Sequence, residues 1–355
     1  MKRLFILSLG CLLILAACNT DKGKTVTDRK VRQQVDTVGF AQYSWQIDSV
    51  MERIDRVGWK RIQGDPWKLA ICPHDDYTYV GKLYPEVLQN VKADNVFLIG
   101  VAHKAAQLKL ENYLIFDTYS SWYGPYGNVP VSPVRNEIFQ SLKEKYAIIS
   151  DTMHAVEHSL ESMIPFMQYF NRDISIIPVL VPAMSPERMD ECGRALAKAI
   201  RDVADSRQWT WGKDYAIVVT TDADHYGNED WGGKDYARYG CDDEGNAMAR
   251  AHEKEIIENC LKGKIDPENF RLFSAYTLDS ADYHNYKWYW CGRYCIPVAL
   301  YTAYYLNDAA AINGEFIGYS TSITSEHIPV EDLGMGTTAI ATDCHWVGYA
   351  ALGYR

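Results

Sequence analysis

Three short apolar runs in this chain each end at a histidine, and that pattern restricts the fold more than any other feature of the sequence. Lys68-Leu-Ala-Ile-Cys72 runs into Pro73-His74, and Asn95-Val-Phe-Leu-Ile99 runs into Gly100-Val-Ala-His103. Tyr215-Ala-Ile-Val-Val-Thr-Thr-Asp222 leads to Asp224 and His225, and a fourth run, Ile174-Ser-Ile-Ile-Pro-Val-Leu-Val181, meets Pro182. Short β-branched runs without polar alternation, closed by turn residues, are strands buried on both faces. Helical patterns lie between them. Ser185 to Val203 carries Met189, Cys192, Leu196 and Ile200 at helical intervals, with Ser185 placed to cap and Pro186 at the first helical position. Asp242 to Cys260, with Met248, Ile256 and Ile257, reads likewise, and Ile296 to Leu306 reads as a buried helix. Phe316 to Ile323 and Trp346 to Tyr354 read as late strands without convincing crossover helices. The expectation is a three-layer α/β/α domain around a central, mixed, largely buried sheet.

The N-terminus follows other rules. Met1-Lys2-Arg3, an apolar stretch from Leu4 to Leu15 and Leu15-Ala16-Ala17-Cys18 have the layout of a secretory signal peptide over residues 1–17. The apolar part is shorter than the ~20 residues of a spanning helix. Its Leu-Ala-Ala-Cys ending resembles the bacterial lipobox, which makes Cys18 the expected lipid anchor and the cell envelope, at its periplasmic face or surface, the expected location. Residues 18–40 are polar and read as a flexible tether. Residues 41–355 then form the folded domain.

Losing Lys2 and Arg3 with the leader takes the formal charge from −10 to −12. An acidic chain without a clustered basic stripe argues against nucleic acid as a partner. It also leaves the acyl chain as the link to the membrane. Seven cysteines remain beyond Cys18, an odd number, so at least one thiol is unpaired, metal-bound or intermolecular.

Ligands of open α/β sheets bind where the carboxyl ends of the strands converge. His74, His103 and His225 are therefore candidates for one shared pocket. A mixed set of histidine, cysteine and carboxylate donors suits iron, copper or zinc better than magnesium or calcium. No His-Glu-x-x-His motif is present, and a single histidine after a strand is more often a hydrogen-bonded loop residue, so the weight rests on the three together.

Longer motifs run in order from about residue 70 to the end. Cys72-Pro-His-Asp-Asp-Tyr-Thr-Tyr-Val-Gly81 is similar to the Pro-His-Ala-Gly-Tyr-x-Tyr-x-Gly signature of the Memo family, which includes the bacterial proteins called AmmeMemoRadiSam system protein B. Ile99-Gly100-Val-Ala-His103, Glu157-His158-Ser159 and Val218-Val-Thr-Thr-Asp222-Ala-Asp-His225-Tyr-Gly227 resemble further blocks of that family, as does Cys291-Gly292-Arg293 with Ile296-Pro297. The resemblance implies the fold of class III extradiol dioxygenases, which use non-haem iron. It places His74, His103 and Cys291 on the family's metal ligands and His225 on a pocket histidine that acts as acid or base. Asp222, three residues before His225, is expected to orient that ring. A thiolate in place of a carboxylate softens the site toward copper, zinc or thiolate-bound iron.

Other positions carry two readings. Glu157 and His158 are a pocket-wall pair, His158 with a catalytic role, or else the start of a helix that Ser159 caps while Leu160, Met163, Met167 and Phe170 face the core. Asp75 and Asp76 replace the family's Ala-Gly. Beside His74 they either add metal ligands or raise its pKa, and Tyr77 joins them as a pocket residue. Lys104 stands where many members carry a second histidine. Cys295 follows Cys291 closely, and a disulfide between them would remove the thiolate. The aromatics from Tyr276 to Tyr294 line a pocket for an aromatic or glycan ligand or, more commonly for such clusters, pack and rim the surface.

The leading functional expectation is a metal-dependent redox or dioxygenase-type protein, with one iron or copper ion (zinc possible), acting on an unknown small molecule. The second is a non-catalytic lipoprotein that captures a ligand or peptide. The third is a metal-dependent hydrolase in which His225 and Asp222 work on a metal-bound water.

Overall fold

Four parallel strands make the middle of the molecule: Leu69–Cys72, Tyr215–Thr220, Asn95–Val101 and Ser175–Val181, side by side in that order. They are the four apolar runs. The computed structural model describes residues 30–227 and 234–355. Successive side chains of these strands leave to opposite faces. Leu69, Ile71, Phe97, Ile99, Ile217 and Val219 enter one apolar cluster, with the helices Pro186–Arg207 and Cys295–Leu306. Ala70, Cys72, Val96, Leu98, Ala216 and Val218 enter a second, with the helices Ser44–Val57 and Ile164–Phe170. Both faces are covered, which is why no polar residue interrupts the runs.

Antiparallel strands extend the sheet on one side: His345–Tyr354 beside Leu69–Cys72, then Ile312–Thr321 and Gly263–Ile265. On the other side Leu114–Phe116 pairs antiparallel with Ser175–Val181, and Ala147–Ile149 pairs parallel with Leu114–Phe116. The short strand His225–Gly227 leans on His345–Tyr354, giving ten strands in one sheet among the described residues. The sheet is mixed and the architecture is the expected three-layer α/β/α.

The helix Pro186–Arg207 starts where Ser185 Oγ accepts the Arg188 amide. Its buried Met189, Cys192, Leu196, Ile200 and Val203 form the apolar stripe, each of the larger side chains contributing about 1.5–3 kcal/mol by burial. The helix Asp243–Cys260 is capped by Asp242, but Met248, read as a core position, is 48% exposed, while Ile256 and Ile257 are buried. Ser159 caps no helix either. Its hydroxyl donates to the Val101 carbonyl, although Leu160, Met163 and Met167 do face the core.

The expected tether is shorter than the sequence suggested. From Val31 the chain is packed: Val31–Arg32 pairs with Ser121–Trp122, and Arg32 is 2% exposed. The Arg32 guanidinium is ion-paired with Glu161, and its Nε donates to the His154 carbonyl at 3.1 Å. Phe40 and Ala41 are buried as well. A polar composition cannot reveal that one of its charges has a buried partner more than a hundred residues away. The expected signal peptide, the expected lipid anchor Cys18 and the part of the expected tether up to residue 29 lie outside the described residues. No helix among the described residues is long and apolar enough to cross a membrane.

Candidate metal centre

The parallel strands deliver their carboxyl ends to one edge of the sheet, and the expected donors meet there. Tyr215–Thr220 lies between the strands that precede His74 and His103, so its last residue stands between the two histidines. Thr220 Oγ1 donates to the Ser159 carbonyl at 2.6 Å, and His74 Nδ1 lies 2.8 Å from the same hydroxyl. With its proton spent on Ser159, the hydroxyl can only accept from His74. The proton of His74 is thereby set on Nδ1, and the Nε2 lone pair faces inward. Burial, then the neighbouring His103 and His158 rings, hold the His74 pKa well below its ordinary value, so the ring is neutral. The alternative in which Asp75 and Asp76 raise that pKa is therefore corrected: desolvation wins over their charge, because burial also pushes both carboxyls upward toward their neutral forms.

His103 is set the same way by a carboxylate. Glu157 Oε1 lies 2.8 Å from His103 Nδ1, and Oε2 accepts the His103 amide at 2.7 Å. The amides of His158 and Ser159 also donate to Oε1, each at 3.0 Å. Burial alone would raise the Glu157 pKa, but His103 and these donors hold it below the usual carboxylate range. Burial also opposes charge on His103, yet Glu157 and Cys291 raise its pKa well above the ordinary value. This is the carboxylate–histidine arrangement that fixes and strengthens metal-binding imidazoles. Gly100 permits it, since a Cβ there would overlap Leu160 and crowd Ser159 in the segment that carries Glu157.

Cys291 closes the group. Its Sγ lies 3.2 Å from His103 Nε2 and 3.6 Å from His74 Nε2, and the three ligand atoms all fall within 4.8 Å of one another. The Cys291 amide donates to the Ala223 carbonyl at 3.0 Å, hanging this loop on the segment after the central strand. Gly292 lets the loop come so close, because a Cβ there would overlap the Thr221 side chain. Cys291 and Cys295 are both free thiols, and Cys295 Sγ faces the Thr220 and Gly292 carbonyls instead. The disulfide among the described residues joins Cys241 to Cys344.

His225 sits beside this group, packed edge-on against Tyr289 with its amide donating to the Tyr289 carbonyl at 3.0 Å. Burial, then the charge of His103, pushes its pKa down to about 3, so it is a neutral imidazole. Asp222 was expected to orient His225, but the structure ties it more closely to His74. Its Oδ1 accepts the His74 amide at 2.9 Å, and its Oδ2 is 3.3 Å from His74 Nε2 against 3.9 Å from His225 Nε2. The backbone turn after Cys72 brings His74 onto the carboxylate, a long-range contact that sequence spacing does not encode. Burial raises the Asp222 pKa to about 7.

The remaining expected residues divide. His158 stacks on His103, with ring centroids 4.8 Å apart and planes 8° apart, and stays partly exposed. Asp75 accepts from the Tyr349 hydroxyl at 2.5 Å, and Asp76 accepts the Thr338 amide at 2.6 Å, so both are engaged away from the three donors. Tyr77 is a core residue rather than a pocket residue. It is 0% exposed, packed among Phe40, Tyr84 and Phe166, with its hydroxyl on the Ser162 carbonyl. Thr220 and Arg293 were not singled out from sequence, although both stand inside quoted motifs. The signal for Thr220 was its place at the end of the central strand.

Two cavities flank the donors. One, about 530 Å³, is lined by Cys291, Tyr286, Tyr294 and Arg293, and the other, about 290 Å³, by Asp75, Asp76, His158 and Asp222. His103, His225 and Tyr289 line both.

A family model described as Memo-like protein matches residues 42–336, which include every donor described above. The chain belongs to the Memo family. Relatives carrying the description MEMO1 family protein include one from Aquifex aeolicus, 30% identical over 161 residues, covering 45% of this chain and 54% of that protein. Another, from Methanothermobacter thermautotrophicus, is 27% identical over 173 residues, covering 48% and 57%. The match thus spans about half the length of these curated Memo relatives. The crystal structure of an uncharacterized Escherichia coli K12 protein is similar at a TM-score of 0.40 and 12% identity, covering 79% of this chain and 98% of that one. The Memo match begins at residue 42, after the packed segment 31–40.

Proposed function

We propose that this Memo-family chain holds one iron or copper ion on His74 Nε2, His103 Nε2 and Cys291 Sγ and works as a dioxygenase-type oxidoreductase on a small molecule. One observation carries the reading: Thr220 and Glu157 each occupy an Nδ1, so both Nε2 atoms turn toward one sulfur. Such a donor set fits a soft or borderline metal, and a bound ion would supply a redox-active centre with open coordination positions. The protein's own groups do the rest. Glu157 and Thr220 hold the rings in place. The neutral His225, lining both cavities, takes up or returns a proton beside the substrate. Zinc suits the same donors and would shift the reading toward a hydrolase.

Anchoring through a lipid on Cys18, in the cell envelope, belongs to the same proposal. The leader sequence supports it, and so does the Cys241–Cys344 disulfide, a bond that persists outside reducing compartments.

The test is elemental analysis of protein purified without oxygen, comparing wild type with a His74→Ala, His103→Ala double variant. The expected result is about one equivalent of iron or copper in the wild type and little in the variant. Equally low content in both sinks the reading. Oxygen uptake with a reductant by the loaded protein separates an enzyme from a binding protein. Cys18→Ala is expected to move the chain from the membrane to the soluble fraction, and continued membrane association would refute the anchor.

A further inference from the structure

Arg293 is a buried cation without an ion-pair partner among the described residues. It is 8% exposed, and the other buried arginines, Arg32 and Arg135, are ion-paired with Glu161 and Asp117. Among the described residues no carboxylate lies in ion-pair reach of Arg293, and its Nε has no hydrogen-bond acceptor. The guanidinium is instead stacked on aromatic faces, 3.5 Å from the Tyr286 ring centroid and 4.3 Å from that of Tyr294. Burying an unpaired charge is costly, and an anionic ligand would offset that cost.

The place where it sits says what that ligand is. Arg293 lines the cavity of about 530 Å³ that also reaches Cys291, His103 and His225. That volume is of the size that takes a small organic molecule. Glu111, a carboxylate on the same wall, is already engaged by His284 at 2.9 Å, and Lys109 adds a second cation at the rim. The cavity is therefore locally cationic in a chain whose formal charge is −10. Tyr286, Tyr289 and Tyr294, in contact with one another or with Arg293, line it with aromatic surface against which an aromatic body can pack. A guanidinium fork held planar by stacking matches a carboxylate with two parallel hydrogen bonds.

We propose that this cavity binds an aromatic carboxylate, its anionic group on Arg293 and its ring against the tyrosine-lined wall, facing the three donors. The inference deepens the proposed function by naming its substrate class, and rests on it for what the bound ring meets, though not for capture of the anion. Arg293 is a positioning residue here.

Calorimetric titration of the full chain with benzoate, phenylacetate and 3-phenylpropionate, each beside its neutral amide, tests it in metal-free and metal-loaded protein. In wild type at least one carboxylate is expected to bind about tenfold or more tighter than its amide, in both forms. Arg293→Gln is expected to reduce that preference to within about twofold. Arg293→Lys keeps the charge, loses the fork and retains an intermediate preference. It carries the test if the glutamine variant fails to fold by circular dichroism. No preference in wild type, an unchanged preference in the glutamine variant (or, where that fails to fold, in the lysine variant), or no carboxylate binding up to about 10 mM each overturns the inference. Metal content of the same samples separates the two readings. Metal uptake without carboxylate preference sinks this inference alone, while preference without metal uptake sinks the metal centre and leaves Arg293 as an anion site.

Discussion

Thr220→Val removes one oxygen from the centre of the site and keeps the side chain's shape. In wild type the hydroxyl donates to the Ser159 carbonyl at 2.6 Å and accepts from His74 Nδ1 at 2.8 Å. The carbonyl survives the change, because Ser162 Oγ also donates to it, at 3.1 Å. The His74 ring is 1% exposed, so its Nδ1–H loses its acceptor with no water to replace it. One orphaned buried group, rather than two, sets the expected loss of folding stability at about 1–3 kcal/mol. The ring has a partial escape. It can move its proton to Nε2, where Asp222 Oδ2 lies 3.3 Å away. That relief places the proton on the atom assigned to the metal, so stability loss is expected near the lower bound while metal affinity falls by roughly 10–100-fold. Urea unfolding measures the first and competition with a chromophoric chelator the second. Thr220→Ser keeps the hydroxyl and is expected to restore affinity. A valine variant that binds metal within about twofold of wild type would refute the assignment of tautomer and role alike.

Other perturbations reach different parts of the molecule. Glu161→Ala strands the buried Arg32, and should cost about 3–5 kcal/mol in urea unfolding as expected for a broken buried pair; a loss under about 1 kcal/mol would mean that residues 31–40 do not pack in solution. Burial pushes the Glu253 carboxyl from 4.5 up to about 7, against hydrogen bonds from Tyr319 and the Asp224 amide. Its folded pKa is raised, so its contribution to stability is full below about 4.5 and is lost as pH rises through about 7. Glu253→Gln should flatten that fall in the urea midpoint without abolishing it, because Asp222 titrates in the same direction at about 7; an unchanged pH profile would contradict the burial argument. The Cys241–Cys344 bond closes a separation of 103 residues. Cys241→Ser or a thiol reductant should lower stability by about 2–4 kcal/mol, and a midpoint indifferent to reductant would count against the bond.

Much of the centre was legible because its donors are strand-end residues. His74 and His103 follow apolar runs that can only be buried strands, and parallel strands deliver their ends to one edge. Cys291 was reached through resemblance, since nothing in its local spacing ties it to those strands. Asp222 was assigned to His225, three residues away, yet lies nearer His74, across 148 residues of chain. Tyr77 was assigned to the pocket and belongs to the core, because the sharp turn after His74 points its ring inward.

The sequence by itself determined the layered fold, since continuous apolar runs have no stable place except between two covering layers. It also determined which strand ends carry imidazoles. Only the tertiary structure decided how those imidazoles are set. The proton of His74 rests on a hydroxyl that is committed to a third residue, and that of His103 on a carboxylate from a separate segment. Arg293 likewise reads as one more charge in a motif until the fold buries it on a cavity wall with no carboxylate partner among the described residues. Such facts depend on which groups are absent from a neighbourhood as well as present, and a neighbourhood exists only once the chain has folded.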